Sequence, residues 1–163
     1  ASTMPISRAK RFFQLEHFVV VGASRDQHKF GNKVLRCYKE QGLPVTAVNN
    51  KIENNSGREE IEGMPTVASL TAFVESIAGS STTLVPAITC VGVSIITPPA
   101  VTRVVLEEGV ALGITHFFLQ PGTTDASVKA YMKRVKASHK EVSILEGCVL
   151  VELGFVGYLG EDF

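Results

Sequence analysis

The stretch His17-Phe-Val-Val-Val-Gly-Ala23 decides the fold of this chain. Phe18 to Val21 are four consecutive apolar residues, three of them valine, and Gly22 follows them. A short, continuous apolar run of this kind predicts a strand that is buried on both faces, as in a parallel sheet. A glycine directly after such a strand permits a tight turn and lets the backbone approach a phosphate group. The stretch therefore predicts an α/β fold with a ligand site after its first strand.

Predicted helices and strands alternate along the rest of the chain. After the first strand, further strands are predicted over 44–48, 88–96, 115–119 and 142–151. Helices are predicted over 32–41, over 66–78 with Thr66 or Ser69 near the cap, from 98–99 to about 109–113, and over 127–138. A polar loop over 49–63 and a polar linker over 79–83 lie on either side of the second helix. Such alternation implies a parallel sheet covered by helices on both faces. We therefore predict a Rossmann-like three-layer α/β sandwich with a mostly parallel five-stranded sheet. We expect one domain over 1–163, with its core over about 17–151.

The composition excludes several classes of protein. Of the 163 residues, 45% are apolar, and the 16 basic residues equal the 16 acidic ones. A net charge of zero gives no general reason to expect a nucleic acid or a membrane surface as a partner. No apolar run reaches the ~20 residues that span a bilayer. We expect a cytoplasmic protein, with the mitochondrial matrix as the less favoured alternative because the first residues are basic.

Ligands of such sheets bind at the carboxyl ends of the strands, so the residues after each strand are the site candidates. After the first strand these are Gly22, Ala23, Ser24, Arg25, Lys29 and Lys33. The dinucleotide fingerprint requires glycine two and five residues after the first glycine, where this chain has Ser24 and Gln27. The loop is therefore a candidate phosphate site with only an incomplete NAD signature.

The end of the second predicted strand discriminates between nucleotides. NAD-binding domains have an acid there that bonds the ribose hydroxyl, whereas this chain has Asn49, Asn50 and Lys51. A lysine attracts a phosphorylated ribose. Coenzyme A with its 3′-phosphate and NADP with its 2′-phosphate therefore both fit better than NAD.

The later strand ends supply further candidates. Thr97, Pro98 and Pro99 form a stiff corner that is suited to wall a flat ring or a pantetheine arm, and Gln120 offers a hydrogen-bonding amide. Cys148 follows near the end of the last strand, where a buried, unreactive thiol is commoner than a nucleophile. We predict no metal ligands and no catalytic residues.

Six motifs in order over about 17–150 resemble one family. They are Val20-Val-Gly-Ala-Ser24 with Lys29, Gly31 and Val34; Val48-Asn-Asn-Lys51; the stretch 63–70; Ile96-Thr-Pro-Pro99; Leu119-Gln-Pro-Gly-Thr123; and Gly147-Cys148. The chain resembles the stand-alone coenzyme A-binding domains, which are related to the N-terminal domain of the succinyl-CoA synthetase α subunit. The resemblance implies a five-stranded parallel sheet with Gly22 to Arg25 facing the phosphates. It also implies that Asn50 and Lys51 lie near the adenosine, and that 97–99 line the adenine or pantetheine path.

We therefore predict a protein that binds coenzyme A or an acyl-CoA without catalysis of its own. Two alternatives stay open, an NADP-dependent oxidoreductase and a protein whose Cys148 undergoes thiol or redox chemistry with coenzyme A. The expected partner is a small nucleotide ligand. A homo-oligomer and a partner domain supplied in trans also stay open.

Overall fold

The computed structural model describes residues 6–52, 59–79 and 85–154, and its centre is a seven-stranded sheet. The strands are β1 His17–Val21, β2 Val45–Val48, β3 Glu60–Ile61, β4 Met64–Val67, β5 Val91–Ile95, β6 His116–Leu119 and β7 Ser143–Glu146. The helices are α1 Arg8–Phe12, α2 Phe30–Glu40, α3 Leu70–Ala78, α4 Pro99–Ala111, α5 Ala126–Ser138 and α6 Val149–Glu152, with a 3-10 helix at Ile88–Cys90.

The order of the strands places a crevice above the middle of the sheet. The strands lie in the order β3-β4-β2-β1-β5-β6-β7, and every pair is parallel except β3 with β4. Numbered along the chain, the six parallel strands follow the order 3-2-1-4-5-6 of Rossmann folds, which reverses between β1 and β5. Val21 lies opposite Val48 on one side and Ile95 on the other. The loops after these three strands therefore start at the same level.

Alternating side chains of β1 fill the core on both faces of the sheet. Phe18 and Val20 pack in the cluster that includes residues of α1, α2 and α6, whereas Val19 and Val21 pack with α3, α4 and α5. All four side chains are at most 5% exposed. The three-layer α/β sandwich that the sequence predicts is thus confirmed.

The sheet has seven strands, so the prediction of five is wrong. The two additional strands, β3 and β4, come from a stretch predicted as a loop and the start of a helix. β3 has two residues, and Pro65 interrupts the strand signal of β4. α3 begins only at Leu70, because the Ser69 side chain accepts a hydrogen bond from the Ala72 N–H and caps it there. Residues 53–58 of the predicted loop and 80–83 of the predicted linker lie outside the described residues.

Two further differences lie near the two ends of the described chain. α1 has no counterpart among the predicted elements; its Phe12 is buried and packs against Phe18 and Phe118, with ring centroids 5.7 and 5.3 Å apart. The last predicted strand over 142–151 is in fact β7 followed by α6.

Among the described residues, no helix has the length and apolar character needed to cross a membrane.

His17 lies at the start of β1 and gives the fold a predicted pH dependence. Its Nε2 lies 2.9 Å from Thr46 Oγ1, and its ring stacks on Phe73 with centroids 5.5 Å apart. Burial lowers the pKa of His17 from its ordinary value, and burial also lowers the pKa of His116. The neutral ring is therefore the form that the folded protein favours.

We expect the free energy of unfolding to fall as the pH drops below about 6.5, the ordinary histidine pKa. The unfolded chain binds protons in that range, while the folded protein binds them only at lower pH, so protonation favours unfolding. His17→Gln keeps a hydrogen-bonding side chain but does not titrate, so it should reduce this dependence and leave the part that His116 contributes. Urea unfolding at about pH 7.5 and about pH 5.5 measures the difference. An equal loss in wild type and His17→Gln would contradict the assignment.

Candidate functional site

A cavity of about 690 Å³ opens at the carboxyl ends of β1, β2, β4 and β5. The loop after β1, the first turn of α2 and residues 48–51 form one part of its lining. Residues 68–70, residues 96–98 and one face of α4 form the rest. The cavity thus lies where the strand order reverses, which is the ligand position expected for open α/β sheets.

Most of the predicted site residues line this cavity. They are Gly22, Ala23, Ser24, Lys29, Asn49, Asn50, Lys51, Thr97 and Pro98. Arg25 instead lines a neighbouring cavity of about 500 Å³, which shares Ser24, Lys29, Asn49 and Lys51 with the first. Neither cavity is lined by Lys33, Pro99 or Gln120.

The turn after β1 requires glycine at position 22. Gly22 has φ +95°, and a Cβ there would lie 2.1 Å from the Ile96 carbonyl oxygen. The backbone N–H groups of Gly22 and Ala23 both donate to the Val48 carbonyl oxygen, at 3.2 and 3.3 Å. These two N–H groups therefore hold the loop against β2, so other groups must supply the contacts to an anion.

Lysine side chains and a helix N-terminus supply positive charge to the cavity. Lys29 is the N-cap residue of α2, whose first turn contains no acidic residue. Asn49 Oδ1 accepts a hydrogen bond from the Lys51 N–H at 2.8 Å, and its Nδ2 donates to the Ala23 carbonyl oxygen at 3.0 Å. Asn49 thereby fixes the backbone from which the Lys51 side chain extends. Together with the partial positive charge of the helix end, these lysines favour a phosphate.

A polar network around the buried side chain of Asn32 braces the loop between β1 and α2. Asn32 is fully buried, and its Nδ2 donates to the Ser24 carbonyl oxygen at 2.8 Å and to Glu62 Oε1 at 2.9 Å. Gln27 donates to the same Glu62 oxygen at 3.3 Å. Hydrogen bonds from Asn32 and Gln27 lower the pKa of Glu62, so it stays ionised. The turn between β3 and β4 thus holds the loop in position through Glu62.

The Arg25 side chain is held by Glu59 and Glu60, at the start of β3. Its Nη1 donates to the Glu60 carbonyl oxygen at 2.9 Å, and its Nη2 forms an ion pair with Glu59 Oε2 at 3.2 Å. The resemblance placed this side chain on the phosphates. The structure instead directs it toward β3, with a carboxylate as its partner.

The predicted residues outside the cavities have structural contacts. Lys33 is 6% exposed, and its Nζ lies 5.6 Å from the centroid of the Phe30 ring. Gln120 is 3% exposed, and it accepts a hydrogen bond from the Val149 N–H at 2.6 Å. Its Nε2 donates to Cys148 Sγ at 3.5 Å. Cys148 is partly exposed at the N-cap of α6, so its predicted position within a strand is wrong.

Several residues that line the cavity were not predicted from the sequence. Phe30 lies at the start of α2 and is 48% exposed, while Val101, Val105 and Glu108 come from one face of α4. Val101, Val105 and Glu108 are spaced four and three residues apart, and this spacing is the sequence signal that they share one helical face. Residues 68–70 were missed because β4 was not predicted as a strand, so its end was not inspected.

The cavity combines cationic, apolar and hydroxyl groups suited to a phosphorylated nucleotide. Lys29 and Lys51 match phosphates, and the aliphatic side chains of Val48, Leu70 and Val105 suit a flat base. Among the described residues, no group of three or more histidine, cysteine or acidic side chains could hold a metal ion.

Comparisons with solved structures find proteins that share this fold. A conserved hypothetical protein from Pyrococcus furiosus is 24% identical, with a TM-score of 0.62 over 84% of this chain and 98% of that one. The protein termed cell-free ID.343 from Thermus thermophilus is 23% identical, with a TM-score of 0.63 over 88% and 92% of the two chains. The WlbA dehydrogenase from Thermus thermophilus, solved with NAD and UDP-GlcNAcA, is 13% identical, with a TM-score of 0.53 over 81% of this chain and 41% of that one. No curated protein matches the chain.

The likeness to these solved structures establishes the fold alone, because the sequence identities are low. The match to a family model supports a more specific conclusion. The family model matches residues 16–154, from the residue before β1 to two residues beyond α6, and so includes every element around the cavity. The chain belongs to the CoA binding domain family.

Proposed function

We propose that the cavity binds coenzyme A or an acyl-CoA and that the chain acts as a binder without catalysis of its own. The observation that carries the proposal is the basic residue Lys51 after β2, where NAD-binding domains place an acid. Membership of the CoA binding domain family supports the same ligand.

Each part of coenzyme A has a matching group in the proposed complex. The pyrophosphate lies at the N-terminus of α2, beside Lys29 and the Ser24 hydroxyl. Ser24 Oγ accepts a hydrogen bond from the Asp26 N–H at 3.1 Å, so its own proton remains to be donated to a phosphate oxygen. Lys51 binds the 3′-phosphate of the ribose. The pantetheine arm leaves past Pro98 and the exposed ring of Phe30.

An NADP-dependent oxidoreductase is the second candidate. Lys51 suits a 2′-phosphate as well as a 3′-phosphate, and the WlbA dehydrogenase, whose structure contains NAD, shares the fold. Hydride transfer also needs a substrate site next to the nicotinamide. The two candidates therefore differ in which nucleotide binds, and a comparison of ligands separates them.

The test is a thermal-stability titration with coenzyme A, dephospho-coenzyme A, NADP and NAD. A ligand that binds only the folded state raises the free energy of unfolding by about 2.7 kcal/mol at a hundredfold excess over its Kd. We expect a clear rise in Tm with coenzyme A, a smaller rise with dephospho-coenzyme A and none with NAD. A rise with NADP alone would favour the oxidoreductase, and no rise with any of the four would refute the proposed site.

A further inference from the structure

Glu108 brings a carboxylate into the lining of a cavity whose other charged side chains are lysines. It lies on the same face of α4 as Val101 and Val105, and all three line the cavity. Glu108 is nine residues beyond Pro99, so it lies roughly 13 Å along the helix axis from the start of α4. An anionic ligand such as a nucleotide phosphate would be repelled there, so this part of the cavity suits a different chemical group.

Thr71 on α3 fixes the position of the Glu108 carboxylate. Glu108 Oε2 accepts hydrogen bonds from Thr71 Oγ1 at 2.7 Å and from the Thr71 N–H at 3.3 Å. Among the described residues, these are the hydrogen bonds that the Glu108 carboxylate makes, and they use one of its two oxygens. Oε1 therefore remains as a hydrogen-bond acceptor on a side chain whose orientation is already set.

The surroundings of this acceptor suit a planar base that carries a hydrogen-bond donor. Leu70 and Val105 are buried and line the cavity beside Glu108, which provides apolar contact for a ring. Adenine presents a 6-amino group that donates two hydrogen bonds, whereas guanine and hypoxanthine present a 6-oxo group that only accepts. A carboxylate bonds the amino group and repels the oxo group.

We propose that Glu108 accepts a hydrogen bond from the 6-amino group of adenine and so selects adenine nucleotides over 6-oxopurine nucleotides. This inference rests on the proposed function, because it assigns a specificity-determining residue to the same cavity. A purely structural role is the competing account, since Glu108 caps an N–H group in the first turn of α3. A cap affects stability, but it does not change which base is preferred.

The experiment measures the affinity of wild type for coenzyme A and for its analogue in which hypoxanthine replaces adenine. We expect wild type to prefer the adenine form by about tenfold or more, the usual discrimination of a well-placed base contact. Glu108→Gln, whose amide both donates and accepts, should reduce the preference to about twofold. Glu107→Gln is the matched control, because Glu107 pairs with Arg103 on the exposed side of α4 and does not line the cavity.

Each outcome decides the inference. Equal affinity of wild type for the two bases, or an unchanged preference in Glu108→Gln, would overturn it while leaving the proposed function intact. Failure of wild type to bind either compound would overturn the proposed function and this inference with it. If Glu108→Gln does not fold, the analogue with N6,N6-dimethyladenine, which has no amino proton, provides the test in wild type. Binding of that analogue as tight as binding of coenzyme A would also refute the role of Glu108.

Discussion

Replacing Gly31 with alanine is expected to lower the free energy of unfolding by about 3 kcal/mol and to abolish ligand binding. A Cβ at position 31 would lie 1.9 Å from the Gly22 carbonyl oxygen and 3.3 Å from Ala23 Cα. Both neighbours are backbone atoms, so no rotation of a side chain relieves the clash. Either α2 or the turn after β1 must move.

Either movement has consequences beyond the turn itself. α2 carries the fully buried side chains of Leu35 and Tyr38, and the Tyr38 hydroxyl lies 2.5 Å from Ser94 Oγ. Displacing the helix disturbs this packing, and displacing the turn disturbs the proposed phosphate site. Binding and stability should therefore be lost together.

Gly79→Ala is the control for the Gly31 variant. Gly79 is the C-cap of α3 with φ −81°, and among the described residues a Cβ there would meet only the Glu75 carbonyl oxygen at 3.4 Å. We expect its effect to stay within about 1 kcal/mol. Urea unfolding of both variants measures the difference. A Gly31→Ala protein as stable as wild type would show that α2 does not pack against the turn as described.

Lys51→Ala is expected to weaken the binding of coenzyme A about tenfold, and to leave the binding of dephospho-coenzyme A nearly unchanged. A hydrogen bond to a charged group is worth about 1.5–3 kcal/mol, and the exposure of Lys51 places its contribution near the lower value. Dephospho-coenzyme A lacks the 3′-phosphate and cannot lose a contact that it never makes. Isothermal titration of both ligands against both proteins measures the effect.

Two other lysines separate specific from general electrostatic effects. Lys29→Ala should weaken both ligands alike, because the pyrophosphate at the start of α2 is common to them. Lys136→Ala, on the exposed face of α5 away from the cavity, should weaken neither. Equal losses of coenzyme A and dephospho-coenzyme A in Lys51→Ala would place the 3′-phosphate elsewhere and remove Lys51 from that role.

The long central elements could be predicted from the sequence, because their signals are local. The valines of β1 and β5 mark buried parallel strands, and Pro98-Pro99 marks the start of α4, which begins at Pro99. The parallel direction of β1, β2 and β5 follows from the rule that strands joined by helical crossovers lie parallel. These elements place the ends of three strands at one edge, which is why Gly22, Lys51 and Thr97 were found as candidates.

The tertiary structure alone decided where the neighbouring side chains point. Arg25 and Lys33 are close in sequence to the turn after β1, but Arg25 pairs with Glu59 and Lys33 packs over Phe30. Gln120 ends β6, yet it bonds the first turn of α6 rather than the cavity. The partners of Arg25 and Gln120 lie 34 and 29 residues further along the chain, so no local pattern indicates these contacts.

The sequence by itself therefore determined the fold class, the position of the main parallel strands and most of the loops that line the cavity. Local apolar runs and glycine or proline signals carry that information, because they act within a few residues. Only the tertiary structure decided the presence of β3 and β4, the brace of the loop by Glu62, and the entry of Glu108 into the cavity. Each of these depends on contacts between residues distant in sequence, whose energies no local pattern records.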